Sequence, residues 1–268
     1  MINFKNKSTL DPQILDRVLN EVTNQGYSLV NNYLNEDEIV IFRDLVENAV
    51  NNFEVNNNPF RLKEKYHIHD LLLQSPYFLK IFEDLRLQQL VSIFLGKFWT
   101  MYAFTSSSVP PNGSNYARRV HNDCPRFIPN YITNIGIIWP LNDYTPHNGA
   151  LEVLPGSQNH VFNCSEEEFT RDSKRVFCNA GDLIIFNARL IHRTDINHTD
   201  NFRHALTLNA CRHYMKPRFD WVRMIPKEFC SDLNAQALRI IGYDSQVPTS
   251  LDEYFVPPEK RLYKGGQE

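Results

Sequence analysis

The chain has 268 residues, with 28 Lys and Arg against 31 Asp and Glu and a formal net charge of −3. With no basic run and no cation stripe interleaved with aromatics, it gives nucleic acid little to bind electrostatically. No stretch approaches the ~18 consecutive apolar residues of a membrane span, and the opening Met1-Ile2-Asn3-Phe4-Lys5-Asn6 lacks the apolar core of a secretion signal, so a soluble cytoplasmic protein without membrane contact is expected.

In chain order, residues 11–25 and 36–53 carry apolar residues at helical spacing, and residues 75–95 do so again before Gly96, a helix stop. Three helices are therefore predicted before residue 98. From Phe98 onward short apolar runs alternate with Pro, Gly, Asn and Asp clusters, as in the many short strands of a jelly roll. Leu183-Ile184-Ile185-Phe186 is apolar on both faces, which fits a sheet whose outer side is covered by those helices. Residues 215–268 hold five prolines, Pro217, Pro226, Pro248, Pro257 and Pro258, and read as irregular structure with one short helix near residues 234–241, a segment that could wrap the barrel mouth as a lid. The expectation is one mainly β domain over residues 1–268: helical support at 1–97, a double-stranded β-helix (jelly roll, cupin-like) at 98–214 with helices on its outer sheet, and the irregular segment at 215–268. Five cysteines without a C-x-x-C pair read as ordinary thiols, and the sequons at Asn163 and Asn197 carry no meaning without a secretory route.

The chemistry-bearing residues begin at Arg119-Val120-His121-Asn122-Asp123. On a strand, side chains repeat direction every second residue, so His121 and Asp123 would project together. His192 ends the later run that starts at Gly181-Asp182, and two histidines with one carboxylate form the facial triad that holds non-haem Fe(II) with open positions. Arg203 offers the two-pronged fork suited to the distal carboxylate of 2-oxoglutarate, the usual electron source of iron oxygenases. Residues 197–201 read as a polar turn and residues 203–209 as a returning strand, a hairpin that would lay Arg203 beside the metal-bearing strand. Thr194 falls on the face of His192 and could add a hydroxyl to the same carboxylate.

These motifs, together with residues 149–157 (Gly-Ala-Leu-Glu-Val-Leu-Pro-Gly-Ser) and the opening Gly26-Tyr27-Ser28-Leu29-Val30 before the acidic helix start at Asn35, resemble the phytanoyl-CoA dioxygenase family up to about Tyr214. The resemblance implies Fe(II) held by His121, Asp123 and His192, with 2-oxoglutarate and O2 as co-substrates. It places Trp139 beside the co-substrate, with Arg203 and Thr194 as co-substrate ligands. Many relatives carry a lysine or other polar co-substrate ligand on the strand before His-x-Asp, where this chain has Ser106 to Pro111. The implied activity is hydroxylation, or a related oxidation, of a small metabolite, for instance in natural-product biosynthesis, with release of succinate and CO2. Two other readings stand beside it: a jelly-roll metal-binding protein without turnover, and a cupin-type metal enzyme that does not use 2-oxoglutarate.

Several residues have plainer readings. His198-Thr199-Asp200 is a second His-x-Asp in the expected turn and reads as a decoy. His67 and His69 read as structural or surface residues. Gly149 to Ser157 reads as a tight turn that shapes the barrel. Substrate choice is assigned to the loop 106–119, with Tyr116, Arg118 and Arg119 as candidate substrate contacts, and to the segment after Met215. A CoA ester would call for a basic cluster that is absent, so a free small molecule is expected. The sequence leaves its identity and the oligomeric state open.

Overall fold

The computed structural model describes residues 4–5, 7–54, 58–161 and 164–263. The sequon residue Asn163 and most of the opening segment lie outside the described residues, as does the end of the irregular C-terminal segment.

Helix α1 (Pro12–Gln25) is capped by the Asp11 side chain and ends on Gly26, whose φ of 95° suits glycine. Strand β1 (Tyr27–Val30) follows directly. Helix α2 (Glu36–Asn51) begins with a capping box in which Asn35 and Glu38 satisfy each other's backbone amides. Short helix α3 (Pro59–Lys63), strand β2 (His67–Ile68) and short helix α4 (Leu71–Gln74) come next. The third predicted helical stretch is split: a 3-10 helix covers Pro76–Glu83, and α5 (Leu85–Leu95) starts afresh because Asp84 caps it through the Arg86 amide.

The strands β3 (Thr100–Val109), β4 (Asn134–Pro140), β7 (Leu183–Asn187) and β9 (Arg203–Cys211) form the body of a six-stranded antiparallel sheet ordered β1-β7-β4-β9-β3-β2. A smaller sheet, β6-β5-β8, joins β5 (Leu151–Val153) to β6 (Lys174–Val176), which follows helix α6 (Glu166–Asp172), and to β8 (His192–Thr194). The N-terminal third is thus more than helical support: β1 and β2 are the two outer strands of the large sheet.

Apolar residues on alternate positions of the central strands enter two different cores. Ile135, Ile137, Trp139, Leu183, Ile185, Leu206 and Leu208 pack against the helices, whereas Ile138, Ile184, Phe186 and Ala205 meet Leu151, Val153 and Val176 of the small sheet. Two sheets facing each other across an apolar layer, with helices on the outer face, is the jelly-roll arrangement that the two-sided apolar runs predict. In the C-terminal segment, short helices α7 (Trp221–Met224), α8 (Ala235–Ile241) and α9 (Leu251–Tyr254) interrupt the irregular chain, α8 being capped by Asn234 where a helix is expected. No described helix is long and apolar enough to cross a membrane.

Candidate metal centre and co-substrate cleft

His121 and Asp123 lie on an irregular segment, and the strand geometry expected for them is replaced by anchoring onto the small sheet. His121 is a single bridge residue facing His192, with His121 N–H to His192 O at 3.0 Å and His192 N–H to His121 O at 2.8 Å. The amides of Asp123 and Cys124 both donate to Ala188 O at 2.9 Å, and Pro125 follows, so the backbone bends where a strand would continue. The carboxylate still arrives beside the imidazoles. Ligand atoms of His121, Asp123 and His192 lie within 4.8 Å of one another, the only such group among the described residues.

The tautomers suit a metal. His121 Nδ1 is 2.8 Å from Arg119 O and His192 Nδ1 is 2.9 Å from Leu190 O. A carbonyl only accepts, so each Nδ1 carries the proton and each Nε2 presents its lone pair, the orientation typical of metal-bound histidine. Burial and the neighbouring His192 push His121 down to about 4, which keeps it neutral at ordinary pH. The donor set therefore fits a divalent ion of the Fe(II) type with positions left open. Phe186 closes one side edge-on, its ring centroid 5.1 Å from that of His192.

Beside the triad runs a cleft lined by Thr194, Arg203, Tyr144, Thr105 and Thr207, among others. Arg203 is 2% exposed and donates to Tyr144 Oη at 2.8 Å and to Gly149 O at 2.9 Å, while its Nε has no partner. No described residue forms an ion pair with it, and burial lowers its pKa. A buried guanidinium without a counter-charge is expensive unless a ligand supplies one. The other nearby arginines are committed: Arg189 to the carbonyls of Gln158, Pro125 and His160, Arg193 to Glu152 and Glu166, and Arg212 to the carbonyls of Ile132, Leu95 and Phe94.

The hairpin expected to carry Arg203 is not one. β8 belongs to the small sheet and β9 to the large one, so the chain between them crosses from sheet to sheet, and Arg203 and Thr194 line the same cleft from different sheets. The buried Asn197 makes that crossing, its side-chain amide donating to the carbonyls of Val109, Pro110 and Asn201. His198 and Asp200 are exposed on the turn, with Asp200 accepting from Asn112.

Trp139 is placed away from the cleft. Its neighbours on β4 face inward, and its own ring is fully buried in the helix-side core against Phe104 and Tyr33. The run from Gly149 contains strand β5, and Gly149 lends its carbonyl to Arg203, so the expected tight turn covers only its start. Tyr116, Arg118 and Arg119 sit on or next to a 3-10 turn. Arg119 lies 4.4 Å from the Tyr116 ring centroid, yet the cleft-lining residue of that turn is Ala117.

Sequence reasoning passed over Tyr144 and Arg218 and read His67 as structural or surface, yet all three line the cleft. Tyr144 sits in a loop with no period to mark it. His67 reaches the cleft because β2 pairs with β3, His67 opposite Ser107, and its Nε2 is 3.0 Å from Thr105 Oγ1.

Residues 17–205 match the phytanoyl-CoA dioxygenase (PhyH) family, and the chain belongs to that family. It is a dioxygenase by class. The uncharacterized protein Rv1501 of Mycobacterium tuberculosis is 28% identical over 261 residues, 94% of this chain and 96% of that protein. Among solved structures, EctD from S. alaskensis with 2-oxoglutarate and 5-hydroxyectoine superposes with a TM-score of 0.62 at 18% identity, over 77% of this chain and 78% of that one. HygX from Streptomyces hygroscopicus with nickel and 2-oxoglutarate bound gives 0.58 at 16% identity, over 78% and 89%. Both share the jelly-roll fold.

Proposed function

We propose that this protein is an Fe(II)- and 2-oxoglutarate-dependent oxygenase that hydroxylates a small metabolite. The observation that carries the reading is Arg203, a buried cation without a counter-charge among the described residues, in the same cleft as two histidines whose Nε2 atoms are free to bind metal. His121, Asp123 and His192 would hold the iron. Iron so held supplies the oxidising chemistry, in which decarboxylation of 2-oxoglutarate to succinate and CO2 is coupled to oxidation of the substrate by O2.

The chain's own residues bind and orient. Arg203 would take the distal carboxylate through its fork, and Tyr144 and Thr194 offer hydroxyls to the same group. Phe186, Leu151 and Ile138 give the same cleft an apolar wall, and a charge contact beside apolar side chains is stronger than one in water. The binding of 2-oxoglutarate by its relative HygX is in keeping with this reading.

The test is anaerobic addition of Fe(II) and then 2-oxoglutarate to the purified protein. A visible charge-transfer band that appears only with both, and is lost in Asp123→Ala, is the expected result. No band with either order of addition would turn the assignment toward a metal-binding jelly roll that does not use this co-substrate.

A further inference from the structure

A second cavity, of about 610 Å3, lies between residues 213–223 and residues 241–249. Its size is in the range of sites that enclose small-molecule ligands. It adjoins the metal cleft, since Arg218 lines both. Phe219, Trp221 and Tyr263 supply aromatic surface, Phe219 and Trp221 meeting edge-on at 5.1 Å.

Two polar side chains of its lining have no partner among the described residues. His213 is 7% exposed with neither ring nitrogen hydrogen-bonded there, and the Nε1–H of Trp221, 1% exposed, is likewise unpaired among them. Buried polar atoms are rarely left so, and a ligand is one way to satisfy them. Burial lowers the pKa of His213, so the ring is neutral and offers one donor and one acceptor.

The charge of the lining has one sign to spare. Asp220, its only carboxylate, is 3.3 Å from Arg223, which leaves Lys216 and Arg218 without an acidic partner among the described residues. Arg218 is held in place by its own amide, which donates to Tyr102 O at 3.0 Å, and its guanidinium lies 3.4 Å from His69 Nδ1, whose other nitrogen is paired with Glu64. A single guanidinium fork at the junction of two chambers matches a carboxylate.

We infer that this cavity holds the body of the substrate, and that the substrate is a ring-containing carboxylic acid whose carboxylate sits on Arg218. Its body lies against Phe219, Trp221 and Tyr263 and hydrogen-bonds to His213. The carboxylate-bearing end then faces the metal cleft, so oxidation falls on a carbon near that end. The role of the cavity as a substrate site rests on the oxygenase reading above.

Binding can be measured without turnover. Metal-free full-length protein is titrated with 4-phenylbutyrate and, separately, with its uncharged amide, following tryptophan emission. The acid is expected to bind at least tenfold more tightly than the amide. Arg218→Gln, at an exposed position, should equalise the two, and His213→Ala should weaken both. Of the three tryptophans Trp221 alone lines this cavity, so Trp221→Phe should remove the emission change. Equal affinity of acid and amide, an acid preference that survives Arg218→Gln, or no binding of either probe would each overturn the inference. Because no iron or 2-oxoglutarate is present, these outcomes are separate from those of the charge-transfer test.

Discussion

His121 and His192 are bound to each other through their backbones before any metal arrives: each donates its amide to the other's carbonyl, and the two ring centroids stand 4.3 Å apart. The pairing uses main-chain atoms alone, so side-chain replacement leaves it intact. His121→Ala, Asp123→Ala and His192→Ala should therefore stay folded, bind Fe(II) weakly and lose turnover. His198→Ala and Asp200→Ala, on the exposed turn, should retain wild-type activity. Melting temperatures and succinate release measured side by side check this, and full turnover of any triad variant under limiting iron would refute the ligand assignment.

Arg203→Ala should raise the 2-oxoglutarate requirement by tens to thousands of times, since truncating one partner of a buried charge pair typically costs ~2–5 kcal/mol. Iron affinity should change little. Arg203→Lys should recover only part of the loss, because an ammonium cannot reproduce the fork that now spans Tyr144 Oη and Gly149 O. Titrating the charge-transfer band against 2-oxoglutarate gives both numbers.

That His121, Asp123, His192 and Arg203 come together is legible in the sequence because residue type and order suggest it. His-x-Asp, a later histidine and an arginine eleven residues on name a chemistry whatever the backbone does between them. What the sequence misplaced was the path. A local period suggests a strand at His121 and a hairpin after His192, but the irregular segment is held by Ala188 O and the supposed hairpin is a crossing between two sheets. Both depend on pairings far apart in the chain. The same holds for His67, which β2 brings to the cleft only by pairing with β3, and for Trp139, whose facing is set by the one-residue alternation of β4 between two apolar cores.

Gly136 bears on the site from a distance. A Cβ there would overlap the Phe186 ring, which packs on His192 and lines the cleft. Gly136→Ala must therefore displace the Phe186 ring, and displacement toward His192 is the outcome expected here. Overpacking of this kind typically destabilises by about 1–3 kcal/mol, and co-substrate affinity should fall with it. Urea unfolding and the same titration check this; an unchanged 2-oxoglutarate affinity would mean that Phe186 moves away from the cleft.

His204 should make the fold acid-sensitive. Burial, together with the Arg203 and Arg43 cations, pushes it down to about 4, and its Nδ1 is 2.7 Å from Ser108 Oγ. Glu47 stands 3.8 Å away but is half exposed and too solvated to offset the burial. The unfolded chain takes up this proton near the ordinary histidine value and the folded chain only near 4, so stability falls as pH drops through that window. Between about pH 7.5 and pH 5 the contribution of this residue is roughly 2 kcal/mol. Metal-free protein unfolded in urea should show a smaller loss over this interval in His204→Asn than in the wild type, and identical slopes would mean that His204 protonates as readily folded as unfolded.

Of the turn formed by residues 116–118, Ala117 is the residue that lines the cleft, with His67 and His121 among its companions there, while Arg119 lies over Tyr116 at the surface. Space there is set by a side chain of one carbon, so Ala117→Phe should fill the cleft beside the metal without touching Arg203. The expected outcome is an intact charge-transfer band with Fe(II) and 2-oxoglutarate, but substrate-triggered succinate release that falls or shifts to smaller substrates. Arg119→Ala removes only a surface cation–ring contact, worth about 0.5–1 kcal/mol, and should leave both readouts near wild type. Loss of the band in Ala117→Phe while the protein remains folded would show that this turn walls the co-substrate, and would move substrate recognition to the other side of the cleft.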